Sequence, residues 1–321
     1  GGKRRLPGKA AAIFLVAGEQ MCYNNTARND RRGRPAGRGE SMARKRDKLA
    51  APVVKWVGGK RQLLEAFGPL LPKRIPVYCE PFLGSGALLF HLQPSVAYVN
   101  DVNGELINLY QVIQREADAL VEELRSYRNE AEFFYSVRDW DRDPQAYARL
   151  SPVKRAARIV YLNKTCYNGL FRVNSSGEFN TPFGHYKNPN IVNEEGLRAV
   201  SRYFNRAQIH FSNTDYAQVL AGLPKNAFVY LDPPYDPLSD TANFTGYAKS
   251  GFGRDEQIRL RECCDELNRR KIKFMLSNSA TDFIKDQYKK YHITVVRARR
   301  AVNSNPTRRG QVDEVVIRNY E

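Results

Sequence analysis

The sequence predicts an open α/β sheet, and two stretches predict it. Residues 227–231, Ala-Phe-Val-Tyr-Leu, form an apolar run that ends abruptly in Asp232-Pro233-Pro234-Tyr235. Such a run reads as a strand buried on both faces. Proline cannot donate to a sheet ladder, so the strand must stop at Asp232. The second stretch is a short strand over 77–80, a glycine-containing loop over 81–86 and a helix over 87–92. Strand, glycine loop and helix make a ligand-binding turn, because glycine lets the backbone approach what it binds. Open α/β sheets bind ligands outside the carboxyl ends of their strands. Both stretches therefore mark one candidate site.

The chain has 321 residues, enough for one large or two small domains. It carries 51 Lys and Arg against 34 Asp and Glu, a formal charge of +17. Residues 1–50 hold 13 of these bases and 4 of these acids, so about +9 lies there and about +8 in the remainder. A basic body remains once the tail is set aside, which points to a polyanionic partner. Nucleic acid fits better than a membrane, because no apolar stretch approaches the length of a transmembrane span. Cys22, Cys79, Cys166, Cys263 and Cys264 make no C-x-x-C pair and no zinc spacing. An odd count without a framework suits a reducing cytoplasm. The four histidines do not cluster, so no metal is expected.

In chain order, residues 1–49 stand apart. Arg31-Arg32-Gly33-Arg34-Pro35 and the residues after it lack periodicity and read as disordered. Lys3-Arg4-Arg5 before an apolar 10–17 imitates a secretory signal, but its hydrophobic part is short. Met42 stands just before the first organised segment, and the expectation is that translation starts there. Lys55-Trp56-Val57-Gly58-Gly59-Lys60 follows, offering an apolar wall in Trp56 and a cation in Lys60. Residues 61–71 read as an amphipathic helix, and 96–100 as a second strand ending in Asp101. An acid at that point suits ribose hydroxyls; the alternative is a helix N-cap.

Residues 104–202 change character, with helical patterns over 106–128 and 152–162. Alternation over 170–174 with a Ser-Ser-Gly turn reads as a β-hairpin, placing Leu170, Arg172 and Asn174 on one face. Arg pairs with guanine and Asn with a base edge, and Tyr167 suits a wedge in a disturbed base stack. An ordinary solvated hairpin is an equal reading of that segment. Strands are expected again over 208–213, 272–276, 292–296 and 313–318, with a helix over 256–270. A polar stretch over 238–252 suits a flap, and Arg297, Arg299, Arg300, Arg308 and Arg309 form a basic loop that suits phosphates, a solvated hairpin tip being an equal reading.

Asp232-Pro233-Pro234-Tyr235 suits transfer to an exocyclic amino group. An adenine amino nitrogen is a poor nucleophile, because its lone pair is delocalised into the ring. The Asp232 carboxylate and the Pro233 carbonyl can accept its N–H bonds and draw that lone pair out of plane. Tyr235 can stack on the base. The bland alternative is a turn.

Together the motifs KWVGGK (55–60), EPFLGSG (80–86), Asn100-Asp101, YNGLFRVNSSGEF (167–179), NTPFGHYKNP (180–189), LDPPYDPLS (231–239), NFTGY (243–247) and LSNS (276–279) resemble the Dam-type DNA adenine-N6 methyltransferases. They run in that family's order over nearly all of 53–321 and look most like its GATC-specific restriction–modification members. The resemblance implies a Rossmann-like S-adenosylmethionine-dependent methyltransferase sheet over 50–103 and 203–321. It also implies an inserted, mainly helical target-recognition domain over 104–202 carrying the hairpin. Trp56, Lys60, Glu80, Phe82, Gly84, Gly86, Asp101 and Asp232 then match cofactor positions, and Asp232, Pro233, Pro234 and Tyr235 the catalytic motif. Lys55, Tyr167, Asn168, Leu170, Arg172, Asn174, Pro182 and Tyr186 match the DNA-contacting stretches. His185 departs from the family, which often has Arg there.

The implied activity is methyl transfer from S-adenosylmethionine to a flipped adenine of double-stranded 5′-GATC-3′, leaving S-adenosylhomocysteine. A restriction endonuclease is a possible genetic partner. A cytosine-N4 methylase, whose motif more often begins with Ser, and a catalytically silent DNA-binding protein are the rivals.

Overall fold

The computed structural model describes residues 46–56, 58, 60, 63–238, 252–299 and 311–321. Most of the expected N-terminal extension, the Met42 start, the core of the 238–252 flap and the tip of the basic loop lie outside the described residues.

Seven strands form one sheet: β1 Val77–Glu80, β2 Val96–Asn100, β3 Gln208–Ser212, β4 Ala227–Leu231, β5 Lys273–Ser279, β6 His292–Arg299 and β7 Gln311–Arg318. Their order is β3-β2-β1-β4-β5-β7-β6. The first five run parallel, and β7 runs antiparallel between β5 and β6. From β1 the chain proceeds to β2 on one side, while β4 lies on the other. The order therefore reverses between β1 and β4, and the carboxyl ends there open a crevice. Every residue of β4 is buried, as expected of a parallel strand covered on both faces. Its side chains alternate: Phe228 and Tyr230 join one core, and Ala227, Val229 and Leu231 the other.

The first core extends into the 104–202 segment. Helices Gly104–Arg125, Pro152–Thr165 and Glu194–Arg206 contribute Leu109, Val160 and Phe204 to it. Asn103 caps the first of these, its Oδ1 accepting from the N–H groups of Glu105 and Leu106 at 3.0 and 3.1 Å. Asp101 is thus not the cap, the alternative considered for it.

Three expectations change. Among the described residues, the helix expected over 61–71 is Leu64–Phe67 and gives way to a 3-10 turn at Gly68–Leu70, because Pro69 cannot sustain α-helical bonding. The recognition hairpin forms no strands. It is held by single bridges, Val173 to Phe179 and Cys166 to Phe183, with a 3-10 turn over Tyr167–Gly169. The Asn174 side chain closes its tip instead, Oδ1 accepting from the N–H groups of Ser176 and Glu178. Residues 46–49 belong with the body: Asp47 donates its N–H to Gln93 Oε1 at 3.0 Å and pairs with Arg202 at 3.0 Å.

The cap at Asn103 gives a direct test. Asn103→Ala should lower unfolding free energy by about 1 kcal/mol, read by chemical denaturation; an unchanged midpoint and slope would remove the cap from the account.

Candidate active site

The two prolines end β4 at the crevice, and Asp232 is the first residue beyond the strand. Lys60 Nζ pairs with Asp232 Oδ1 at 2.9 Å and lies 4.4 Å from the centre of the Tyr235 ring. It also donates to the Gly58 carbonyl at 2.7 Å. Ser277, from β5, donates to the same Asp232 Oδ1 at 3.0 Å and lies 3.2 Å from the Tyr230 hydroxyl. Both contacts use Oδ1; Oδ2 is engaged by neither. Desolvation pushes the Asp232 carboxyl above its ordinary range, against the pull of Lys60 and Ser277. Its side chain keeps 20 % of its exposure, which tempers that rise.

The loop after Asp232 is pinned from below. Gln257 donates to the Pro234 carbonyl at 2.7 Å, Asn278 donates to Gln257, and Asn278 Oδ1 accepts the Asp236 N–H at 3.0 Å. Tyr235 is half-buried, and its hydroxyl donates to Glu314 Oε2 at 2.8 Å.

On the β1 side, Gly84 sits at φ +49 with the Trp56 indole against it. A Cβ there would stand 3.1 Å from the ring, so the loop needs glycine both for its conformation and for that contact. Gly84 donates its N–H to Asp101 Oδ2 at 2.8 Å, and Asn103 donates to Oδ1 at 2.9 Å. Asp101 thereby ties the glycine loop to the next helix. Gly86, at φ +67, immediately precedes the helix Ala87–Leu92. Phe82 is half-buried against Tyr216. Glu80 lies beneath, 2 % exposed, accepting from the Tyr78 hydroxyl at 2.8 Å. Burial pushes its carboxyl well up; the Tyr78 bond opposes this, while the charges of Asp232 and Asp101 add to it.

Two of the expected DNA residues, Lys55 and Tyr186, line a different feature. Asn163 exchanges hydrogen bonds with the backbone of Lys55, both at 2.8 Å, and donates to the Gly169 carbonyl at 3.0 Å. Lys55, Lys164, Gly169, Tyr186 and Asn188 line a cavity of about 190 Å³ beside it. That cavity lies among the DNA candidates; Asp232 is not part of its wall. Tyr167 is 58 % exposed, and its N–H donates to the Pro182 carbonyl at 2.9 Å. Asn168 and Pro182 are exposed, with Asn168 at φ 57. Leu170 is half-buried. Arg172 is exposed and donates from Nε to Asn180 Oδ1 at 2.7 Å. Asn174 is committed to the turn. The hairpin is clamped by Arg142, which pairs with Glu178 at 3.0 Å, and by Asp141, which accepts the Phe179 N–H at 2.8 Å. Phe171 stacks on Trp56 with centroids 4.6 Å apart.

The structure therefore joins Lys60, Asp232 and Tyr235 by direct contacts, and Trp56 and Asp101 through Gly84; of the DNA candidates, Lys55 and Tyr186 line the separate cavity. Asn163, Gln257, Ser277, Asn278 and Glu314 were not assigned roles from sequence. Ser277 and Asn278 stand in the quoted LSNS motif; the other three show their value only through contacts.

The family model of the D12 class N6 adenine-specific DNA methyltransferases matches residues 56–302. The chain belongs to this family. It is 40 % identical over 271 residues to the type II methyltransferase M1.LlaDCHI of Lactococcus lactis subsp. cremoris, covering 84 % of this chain and 95 % of that protein. It is 40 % identical to the type II methyltransferase M.MjaIII of Methanocaldococcus jannaschii over 84 % of this chain and 99 % of that protein. It is 36 % identical to the DNA adenine methylase of Escherichia coli K12 over 82 % and 93 %. The chain is thus an adenine-specific DNA methyltransferase, and this family membership implies S-adenosylmethionine as methyl donor and DNA as substrate. The crevice fits such a donor: a glycine cradle walled by indole, a buried cation in Lys60 and an anchored acid in Asp101. Among the described residues no His, Cys, Asp and Glu cluster could hold a metal, and no helix is long and apolar enough to cross a membrane.

Glu80 makes folding stability depend on pH in a defined direction. Its folded carboxyl titrates above the ordinary value of 4.5, so the folded state holds its proton longer than the unfolded chain. That contribution is complete below pH 4.5 and declines as pH rises towards the folded value. Glu80→Gln should therefore gain stability relative to wild type as pH rises from 4.5. Thermal unfolding of both proteins across pH reads this, and a constant difference in Tm would contradict it.

Proposed function

We propose that the protein methylates adenine N6 within double-stranded 5′-GATC-3′, in the cytoplasm, on a base flipped into the crevice at Asp232. The observation that carries this reading is the Asp232-Pro233-Pro234-Tyr235 corner at the β1/β4 switch point, with Asp232 Oδ1 engaged by Lys60 and Ser277. Oδ2 is the acceptor we assign to one N6–H, and the Pro233 carbonyl to the other. Accepting both hydrogens draws the nitrogen lone pair out of conjugation and directs it outward. Tyr235 stacks on the base; the Gln257 and Asn278 bonds hold the loop so that this geometry exists before the base arrives. S-adenosylmethionine, when bound, supplies the electrophilic methyl group and leaves as S-adenosylhomocysteine. Trp56, Lys60, Glu80, Phe82, Gly84, Gly86 and Asp101 are the residues assigned to hold it or to support its holders.

The 104–202 segment is assigned to target recognition. Extruding a paired base costs a few kcal/mol, which the exposed Tyr167 wedge and the basic surface offset. Lys55, Asn168, Leu170, Arg172, Pro182 and Tyr186 line or flank the face that would meet the duplex. Asn174 belongs to the fold of the hairpin tip, so its part is to present Arg172 rather than to read a base. Two relatives named type II methyltransferases support a genetic pairing with a restriction endonuclease, which neighbouring genes would reveal.

Labelled S-adenosylmethionine with a GATC duplex and a scrambled duplex tests the reading. N6-methyladenine is expected from the first alone; label in cytosine, or equal label in both duplexes, would overturn base or site. Asp232→Ala should abolish transfer while leaving DNA affinity largely intact, and residual turnover near the wild-type rate would refute the assignment. Arg172→Ala should relax discrimination at one guanine by about 1–3 kcal/mol, measured by competition between single-substituted duplexes. An unchanged preference removes Arg172 from the recognition set.

A further inference from the structure

Glu314 stands on β7, opposite Ser279 of β5 in the antiparallel register, and is 7 % exposed. It lies beyond residues 56–302, the stretch matched to the family. A carboxylate this buried is costly unless it is paired or hydrogen-bonded. Its side chain accepts one hydrogen bond from the Tyr235 hydroxyl, at 2.8 Å. Tyr235 is half-buried, and its ring carries the Lys60 ammonium 4.4 Å from its centre. Burial, and the negative charges of Asp232 and Glu314, hold the Tyr235 phenol protonated, so it remains a donor throughout the physiological range.

We propose that Glu314 is a positioning residue for the methyl transfer: it sets the plane of the Tyr235 ring against which the target base stacks. The proposal rests on the stacking role given to Tyr235 above. A phenol ring attached to a loop turns about its side-chain torsions, and the Pro-Pro corner restrains the backbone without choosing the ring's tilt. Anchoring the far end of the ring to a sheet strand does choose it. β7 is suited to this because it is paired on both sides, with β5 and β6, and so cannot yield. The bond to an anion also enriches the ring in electron density, which favours the Lys60 contact on its face. One buried acid thus links the catalytic loop, the cofactor-side lysine and the strand order of the sheet.

The test is a double-mutant cycle on kcat and KM with a duplex that the wild type methylates. Glu314→Ala and Tyr235→Phe should each lower kcat roughly ten-fold, the scale of one lost hydrogen bond to a charged group. KM for DNA and for the methyl donor should stay within about two-fold, because ground-state binding is not what the bond serves. The double variant should be no slower than either single variant. Glu314→Gln, which keeps an acceptor at the same reach, should recover to within about three-fold of wild type. If Glu314→Ala does not fold, Glu314→Gln in the Tyr235→Phe background carries the cycle: it should slow the wild type slightly and the Phe variant not at all. Multiplicative losses, or a Tyr235→Phe variant with wild-type kcat, would overturn the role of Glu314. A wild type that labels no adenine would instead overturn the functional reading itself.

Discussion

Two prolines stop a buried strand beside the place where the sheet reverses its order, and the site depends on that stop. Were β4 one residue longer, Asp232 would be consumed as a ladder residue. Were it elsewhere in the sheet, the acid would face a helix instead of a crevice. Sequence and topology act together: Pro233 and Pro234 end the hydrogen bonding, and the β1/β4 reversal leaves space beyond it. The loop that results is held by bonds from Gln257 and Asn278, so its rigidity comes from the elements on either side of it.

The second constraint is electrostatic. Glu80, Asp101 and Asp232 converge on one crevice, and Lys60, 6 % exposed, is the cation that meets them through Asp232. Such a buried pair is poor evidence for stability, since desolvating both charges offsets their attraction, but removing one partner leaves the other stranded. The arrangement is better understood as a device for holding Asp232 Oδ1 while, among the described residues, leaving Oδ2 unengaged. Asp101 is treated differently: desolvation raises its carboxyl, and two backbone N–H groups rather than a cation oppose that rise. The two acids sit at equivalent strand ends, and only the one beside Lys60 and Ser277 stands next to the ring of Tyr235.

The sheet was largely legible because apolar runs announce buried strands whatever their partners. All seven strands were expected near where they occur, and their order followed from no residue, since register between strands is set by tertiary packing. Helices Ala131–Arg138, Pro144–Ala148 and Glu194–Arg206 were not singled out, although Asp143-Pro144 is a cap-and-start signal and Leu197, Val200 and Phe204 recur at helical spacing. The hairpin was over-read: alternation over 170–174 suggested paired strands, but Asn174 competes for the backbone locally and Phe171 turns to Trp56. At the site, residues carried by local motifs were visible. Glu314, Gln257 and Asn163 were not, because their partners lie 79, 23 and 108 residues away.

Asn163 and Trp56 tie the hairpin segment to the crevice. The Asn163 amide holds the backbone of Lys55 and the carbonyl of Gly169, joining the segment that enters the crevice to the turn that presents Tyr167. Gly169 sits at φ +63, and a Cβ there would come within 2.7 Å of the Lys55 chain, so only glycine lets the two segments lie this close. One residue further, Trp56 stacks on Phe171 and also lies against Gly84. Stacked rings in this geometry contribute beyond the area they bury. The same indole therefore packs against both the glycine loop and the hairpin. Any shift of Trp56 on one side must be felt on the other, because packed rings cannot move independently. The glycine loop and the hairpin share one wall, and Lys60 follows it four residues later in the chain.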